Sequence, residues 1–437
     1  MRSAGPPPSR ARTLPGPPAR AVPIRRSAAR STVAVLGVWL FWPGAFGCSE
    51  GPTAPDRGPI TELPRALSEI ELELVSTSNR FALALAKELL PQEADSNLFY
   101  SPLSASMLLG MILNGAGGET RAQIRSVLGF DALTEEQINR GYADLVELLL
   151  RLDSSVTIDL GSSIWTEPGF PLLPDFLERV QSSFGAKAES VRFDDPGTLD
   201  RINRWASEAT RGRIETIFDT LPPNAIMVLL SAIYFDASWV NRFDPDLTEP
   251  APFTRPDGST VDAPLMHMDG RDVPIAHPDG ATMVELPYGR GAFGMVAVMP
   301  AQGTTVRDFV SDLTEESWDA WTRELAPGRA YVRLPRFELE WESRLNEPLI
   351  RLGMSDAFGA ADFSRLTPGG GLWLDVVKQK AFVRVDEEGT EAAAVSGGVV
   401  VTSAPPEIRF DRPFLVVIRE RLSGTIIFMG VIHDPTA

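Results

Sequence analysis

The chain has 437 residues, 43% hydrophobic and 23% charged, a globular composition long enough for one large domain or two ordinary ones. Its formal net charge of −17 opposes association with nucleic acid or with anionic membrane surfaces. The single cysteine, Cys48, leaves no intrachain disulfide to form, so stability has to come from core burial.

Residues 1–47 carry seven Arg and no acid, and they include the apolar run Val33-Ala34-Val35-Leu36-Gly37-Val38-Trp39-Leu40-Phe41-Trp42. A basic start, a short apolar core and a small-residue exit make the layout of a secretory signal. The run is too short to span a bilayer, which takes about 20 residues. Loss of those seven arginines takes the net charge from −17 to −24. Cys48 follows Gly47 directly, which resembles the lipidation box of bacterial lipoproteins, although Ala45 and Phe46 replace the usual Leu and small residue. The other reading is a chance cysteine beside an ordinary cleavage site. Arg25-Arg26 lacks the remainder of a twin-arginine motif. The expectation is an exported protein, extracellular or lipid-anchored through Cys48 at a bacterial cell envelope. Residues 48–66, rich in Ser, Gly, Pro, Asp and Glu, read as a flexible tether.

From residue 67 to 437 no linker, repeat or low-complexity break appears, which predicts one domain. Leu74, Phe81, Leu85 and Leu89 share helical spacing within 72–90. Ser101-Pro102 supplies a cap and a first-turn proline for a second helix that runs to Asn114-Gly115. Further helices are predicted over 119–128, stopped by Gly129, then over 135–152 and 199–210. Strands are predicted over 156–165, 225–235, 282–286, 294–299, 330–334 and 372–386, with a terminal hairpin from 414–418 and 426–432. Helices gather early and strands late, without βαβ alternation, so the fold class is α+β.

Motifs for catalysis are poorly supplied. Gly289-Arg290-Gly291-Ala292-Phe293-Gly294 fits a dinucleotide-binding pattern, but the strand-like Met295–Met299 follows it where a helix is needed. A hairpin turn is the better reading. His267, His277 and His433 lie in unrelated segments without ligand spacing, so no metal site is expected. No GxSxG elbow occurs, and the acidic pairs Glu315-Glu316 and Glu387-Glu388 read as solvated faces. The chain is not expected to be an enzyme.

One stretch stands apart. Residues 386–396 carry small side chains after an acidic start, and residues 397–404 are apolar and β-branched before Pro405-Pro406. Such a segment suits an exposed loop and yet has no steric objection to becoming a strand. In a strand, Thr390, Ala392, Ala394 and Ser396 face one way, and Glu391, Ala393 and Val395 the other. The first set is small enough to pass between packed elements. No proline lies between Gly389 and Ser403, so no ladder donor is missing there.

Seven blocks, in order, resemble the serpin family. They are Asn97–Ser106 with Asn114–Thr120, Ile202–Trp205, Ala232–Phe235 with Trp239, Glu285–Tyr288, Leu334–Phe337, the stretch Glu387–Ser396, and Ile408–Phe414. The resemblance covers about residues 70–437. It implies the serpin fold, with three β-sheets, eight or nine helices and an exposed reactive-centre loop. It implies an inhibitor of serine endopeptidases, or of cysteine proteases, that acts as a suicide substrate. The target protease cleaves the loop, is held as a covalent acyl complex, and is dragged along as the loop inserts into the central sheet. The implied hinge is Glu387, Gly389, Thr390, Ala392, Ala393, Ala394 and Ser396. The implied reactive bond is Thr402-Ser403 or Ser403-Ala404, two counts that differ by one residue. Residues 399–404 hold no Lys, Arg or large aromatic, which suits an elastase-like or subtilisin-like pocket.

The resemblance also implies an ion pair between Arg336 and Glu387 near Trp239, at the breach where the sheet opens. It implies a control cluster, the shutter, beneath the sheet. There Ser101 and Ser104 match the family, while Ser231 and Gln379 replace the usual Asn and His. Gln379 does not titrate near neutrality, so a histidine-based pH switch is not expected there. Acids outnumber bases over residues 135–153, which argues against activation by heparin. The expected protein is a monomer without cofactors. The alternative is a non-inhibitory serpin acting as a carrier or chaperone, against which Ala392-Ala393-Ala394 argues.

Overall fold

The computed structural model describes residues 58–91, 95–222, 224–389 and 405–437, all within the unit Arg57–Ala437. Its helices are α1 (Glu69–Leu89), α2 (Pro102–Leu113), α3 (Gly118–Leu128), α4 (Glu135–Leu152), α5 (Pro174–Phe184), α6 (Pro196–Ala209), α7 (Val306–Asp312), α8 (Glu315–Glu324) and α9 (Asn346–Arg351). Its strands are β1 (Leu98–Tyr100), β2 (Val156–Thr166), β3 (Lys187–Ser190), β4 (Met227–Ala237), β5 (Asp244–Thr254), β6 (Thr260–Ala276) and β7 (Thr282–Tyr288). They continue as β8 (Phe293–Met299), β9 (Ala326–Pro335), β10 (Phe337–Arg344), β11 (Val376–Val385), β12 (Glu407–Arg409), β13 (Phe414–Glu420) and β14 (Ile426–Ile432).

Local chemistry explains the helix ends. Ser68 and Glu71 form a reciprocal capping box on α1, as Thr134 and Gln137 do on α4. The Ser101 hydroxyl accepts from the Ser104 N–H at the start of α2, and Pro102 fills the first turn. Gly129, at φ 70°, ends α3 in the left-handed conformation that a glycine adopts without strain.

The five-stranded sheet runs β10-β11-β4-β2-β3. A nine-stranded sheet has the order β1-β14-β13-β8-β7-β6-β9-β12, with β5 on β6. It consists of two arms joined through the 17-residue β6, which meets β7 only at Ile275 and Ala276 and shifts register against β9 between Met268 and Arg271. These arms and the five-stranded sheet account for the three sheets expected. The terminal hairpin β13–β14 is buried at every position and packs under α1 and α2.

Two predicted strand starts move inward for one reason. The Asp375 carboxylate accepts from the Ile226 and Met227 N–H groups, which holds both chains in a tie ahead of β4 and β11. The glycine-rich stretch at 289–294 is the turn of the β7–β8 hairpin, with Gly289 and Gly291 at φ 57° and 91°. The segment read as a tether touches the body at its described end. Ile60 N–H donates to Arg290 O, and Arg290 Nε donates to Gly58 O, both at 2.8 Å.

Candidate functional site

The centre of the five-stranded sheet contains a parallel pair. β4 and β11 run side by side from Val228↔Val376 to Tyr234↔Phe382, while their outer neighbours β2 and β10 pair with them antiparallel. The paired register stops three residues before the end of each strand, Ala237 on β4 and Val385 on β11. A small cavity of about 140 Å³ lies at this open end, lined in part by Tyr234, Phe235, Phe382, Arg384 and Gly389.

Above that opening the chain leaves β11 through a tight turn. The Glu388 N–H donates to Asp386 Oδ1 at 3.1 Å, and Gly389 has φ 58°. A Cβ at Gly389 would stand 2.6 Å from Ser238 Cα and closer still to the Trp239 backbone nitrogen, so only glycine fits. The backbone beyond β4 holds the turn. Trp239 N–H donates to Glu388 O and Phe243 N–H to Glu387 O, at 3.3 and 3.2 Å, while Trp239 Nε1 donates to Asp386 O at 2.8 Å. The Trp239 ring stacks on Tyr288 at 4.1 Å between centroids. Burial, with Asp386 nearby, raises the Tyr288 hydroxyl well above its usual pKa.

Glu387 is buried, so the solvated-face reading fits Glu388 and not Glu387. Its Oε1 accepts from the Thr248 hydroxyl at 2.7 Å and lies 3.6 Å from Arg336 Nη1. The Arg336 side chain is half exposed. Glu315 likewise is engaged, with Ser76 at 2.6 Å and Arg80 at 3.0 Å.

The four shutter positions meet in one buried cluster behind the β4–β11 seam. Gln379 faces Ser231 across that seam. Its Oε1 accepts from Ser101 N–H at 2.9 Å, and its Nε2 donates to Ser101 O at 2.9 Å and reaches Ser231 Oγ at 3.3 Å. The Ser104 and Ser231 hydroxyls are 2.5 Å apart, and the Ser101 hydroxyl donates to Ile427 O at 2.7 Å. The amide thus uses both ends on the start of α2, and the hydroxyls complete the set.

Cys48 and the loop positions Thr390, Ala392, Ala393, Ala394, Ser396, Thr402, Ser403 and Ala404 lie outside the described residues. The described chain resumes at Pro405, and Pro406 O accepts from Tyr331 N–H at 2.9 Å as β12 begins its parallel pairing with β9.

Sequence reasoning missed several contributors. Thr248 lies on β5, whose Pro250 and Pro252 and exposed residues hid it as a strand. Lys378 and Lys380 on β11 are buried and reach over the sheet to Ile217 O and Thr216 O, at 2.5 and 2.7 Å. Burial holds the Lys378 ammonium below its usual pKa. Two lysines flanking Gln379 between the apolar pairs Val376-Val377 and Ala381-Phe382 were the available signal. No group of three or more His, Cys, Asp or Glu residues able to hold a metal ion occurs among the described residues.

Comparison with known proteins agrees with this geometry. Residues 76–435 match the family described as Serpin (serine protease inhibitor). Serpin A3-3 of Bos taurus is 33% identical over 370 residues, covering 83% of this chain and 89% of that protein. The leukocyte elastase inhibitor of Sus scrofa is 35% identical over 381 residues, covering 83% and 100%. The solved structure of human thyroxine-binding globulin superposes with a TM-score of 0.78 at 28% identity, covering 84% of this chain and all of that one.

Proposed function

The chain belongs to the serpin family, and we propose that it inhibits serine endopeptidases as a suicide substrate. The observation that carries this reading is the central parallel pair β4–β11, open at the end where the Glu387–Gly389 turn departs. A strand entering there runs antiparallel to both neighbours and replaces one parallel ladder with two antiparallel ones. Strand addition by the cleaved loop is the family's known mode, and a protease acylated on that loop travels with it. Loop residues 390–396 are small on the face that has to slip between packed elements.

An elastase-like target follows from residues 399–404, which offer only small and β-branched side chains. The printed name of the porcine relative, leukocyte elastase inhibitor, supports it. Export through residues 1–47, a lipid on Cys48, a bacterial source and a monomeric state complete the proposal. The second reading, a carrier, draws on the similarity to thyroxine-binding globulin. It is the weaker one because Ala392-Ala393-Ala394 is a hinge suited to insertion.

The test is incubation of the purified protein with a panel of proteases, read on denaturing gels. An SDS-stable complex with elastase-like enzymes is the expected result. A complex with trypsin-like enzymes alone overturns the specificity, and simple loop cleavage by every enzyme favours the carrier.

A further inference from the structure

The segment between α6 and β4 crosses the outer face of the five-stranded sheet at an informative height. Asp159 on β2 faces Tyr234 on β4, and Tyr234 faces Phe382 on β11, so the three form one row across three strands. That row is the last closed rung of the β4–β11 seam. Two arginines of the crossing segment meet it. Arg211 Nε pairs with Asp159 Oδ2 at 2.6 Å. The Arg213 guanidinium lies over both aromatic rings, 5.7 Å from the Tyr234 centroid and 5.9 Å from that of Phe382.

The two contacts differ in kind. Arg211 ties the segment to β2, which stays on the same side of the seam as β4. Arg213 touches one ring on each side of the seam. The rings are 6.5 Å apart, with 36° between their planes, and Arg213 also lines the cavity at the open end. The segment is anchored at its base. Ile214 is fully buried, its N–H donates to Thr210 Oγ1 at 3.0 Å, and Asn203 on α6 bonds the Ile217 and Phe218 backbone.

We propose that Arg213 is a clamp across the last closed rung of the seam, a positioning residue that sets how fast the reactive loop enters the sheet. A strand inserted between β4 and β11 moves their backbones from one interstrand spacing of about 4.8 Å to two. The guanidinium then no longer faces both rings, and the cation–π contact to at least one is lost. Unzipping therefore begins at a rung that a charge holds closed, and the clamp slows the first step of insertion without touching the protease. This inference rests on the reading of the protein as a loop-inserting inhibitor.

The experiment uses the whole chain and separates the two claims. The reactive loop is nicked with a protease that cuts residues 397–404, and the appearance of a heat-resistant form is followed over time. For the wild type that form is expected, and its absence overturns loop insertion itself and the clamp with it. Arg213→Gln is expected to speed its appearance about 3- to 10-fold, with Arg213→Lys restoring most of the delay because it keeps the cation. Arg211→Gln, on one side of the seam, is expected to leave the rate within about 2-fold. A normal wild-type transition with an unchanged rate in Arg213→Gln overturns the clamp alone. Equal acceleration by Arg211→Gln also overturns it, because the segment would then act as a whole rather than through one guanidinium.

Discussion

Glu387 shows how two contacts at one carboxylate differ in worth. Thr248 gives it a hydrogen bond of 2.7 Å, in a place where the carboxylate is nearly excluded from water. Arg336 lies 3.6 Å away with half its side chain in solvent. A hydrogen bond to a charged group contributes about 1.5–3 kcal/mol, whereas an exposed ion pair contributes about 0–1 kcal/mol. Thr248→Val is therefore expected to lower the urea-unfolding free energy more than Arg336→Ala does. The reverse ranking would mean that the guanidinium is the principal partner. The Arg336–Glu387 proximity was legible only through family resemblance, since nothing in the local pattern of Leu334–Phe337 points across to the end of β11. Thr248 was not legible at all, because its strand lacks the alternation that marks a half-buried one.

At the scale of elements, what could be read depended on whether the chain's own chemistry closes the element. The bounds of α4 match the reading from sequence because a capping box opens it and an apolar stripe runs its length. The helix α5 had comparable signals, Pro174 at its start, Phe176, Val180 and Phe184 on one face and Gly185 beyond its end, and these went unread. The strand β10 alternates just as plainly through Phe337, Leu339 and Trp341, and it too went unread. By contrast, the tie that Asp375 makes ahead of β4 and β11 joins residues about 150 positions apart, which no local pattern reveals. The Gln379 cluster joins α2, β4 and β11 in the same long-range manner. Gln379→Ala removes the partner of the Ser101 N–H, which has no solvent exposure, while the Ser101 carbonyl keeps the Ala105 N–H at 3.1 Å. About 1–3 kcal/mol for one orphaned donor predicts a loss of about 1–3 kcal/mol, measured by denaturant unfolding. A loss below about 1 kcal/mol would show that α2 finds other partners.

At the scale of the whole molecule, the histidines set a pH dependence distinct from that of the carboxylates. Burial holds the His433 imidazole below its ordinary 6.5, with Arg307 adding and Asp95 opposing. The unfolded chain therefore takes up a proton that the native chain refuses, and this share of stability is complete above about pH 6.5 and is lost as the pH falls below it. Burial and Arg333 lower His267 in the same sense. Burial of Glu135 works to raise its pKa, but Arg365 and Arg121 outweigh it, so its share is lost only below about pH 4.5. Buried Glu420 is raised and carries the opposite sign, so the comparison has to be between variants. Stability measured against pH is expected to fall less steeply below 6.5 in His433→Gln than in the wild type. Parallel curves would assign the slope elsewhere.

The seam that stops three residues short of both strand ends has a practical consequence for anyone improving this protein. On the proposed reading, in which the sheet accepts one more strand, the native fold is the less stable of two arrangements of the same chain. Substitutions that fill the open end, or seal it, are then expected to raise the melting temperature of the starting form and to slow the proposed rearrangement. Variants selected only for heat resistance are expected to be cut and released by proteases more often than the wild type. Counting protease molecules trapped per inhibitor consumed, variant by variant against melting temperature, should give a falling line, and a flat one would mean that the two properties can be bred apart.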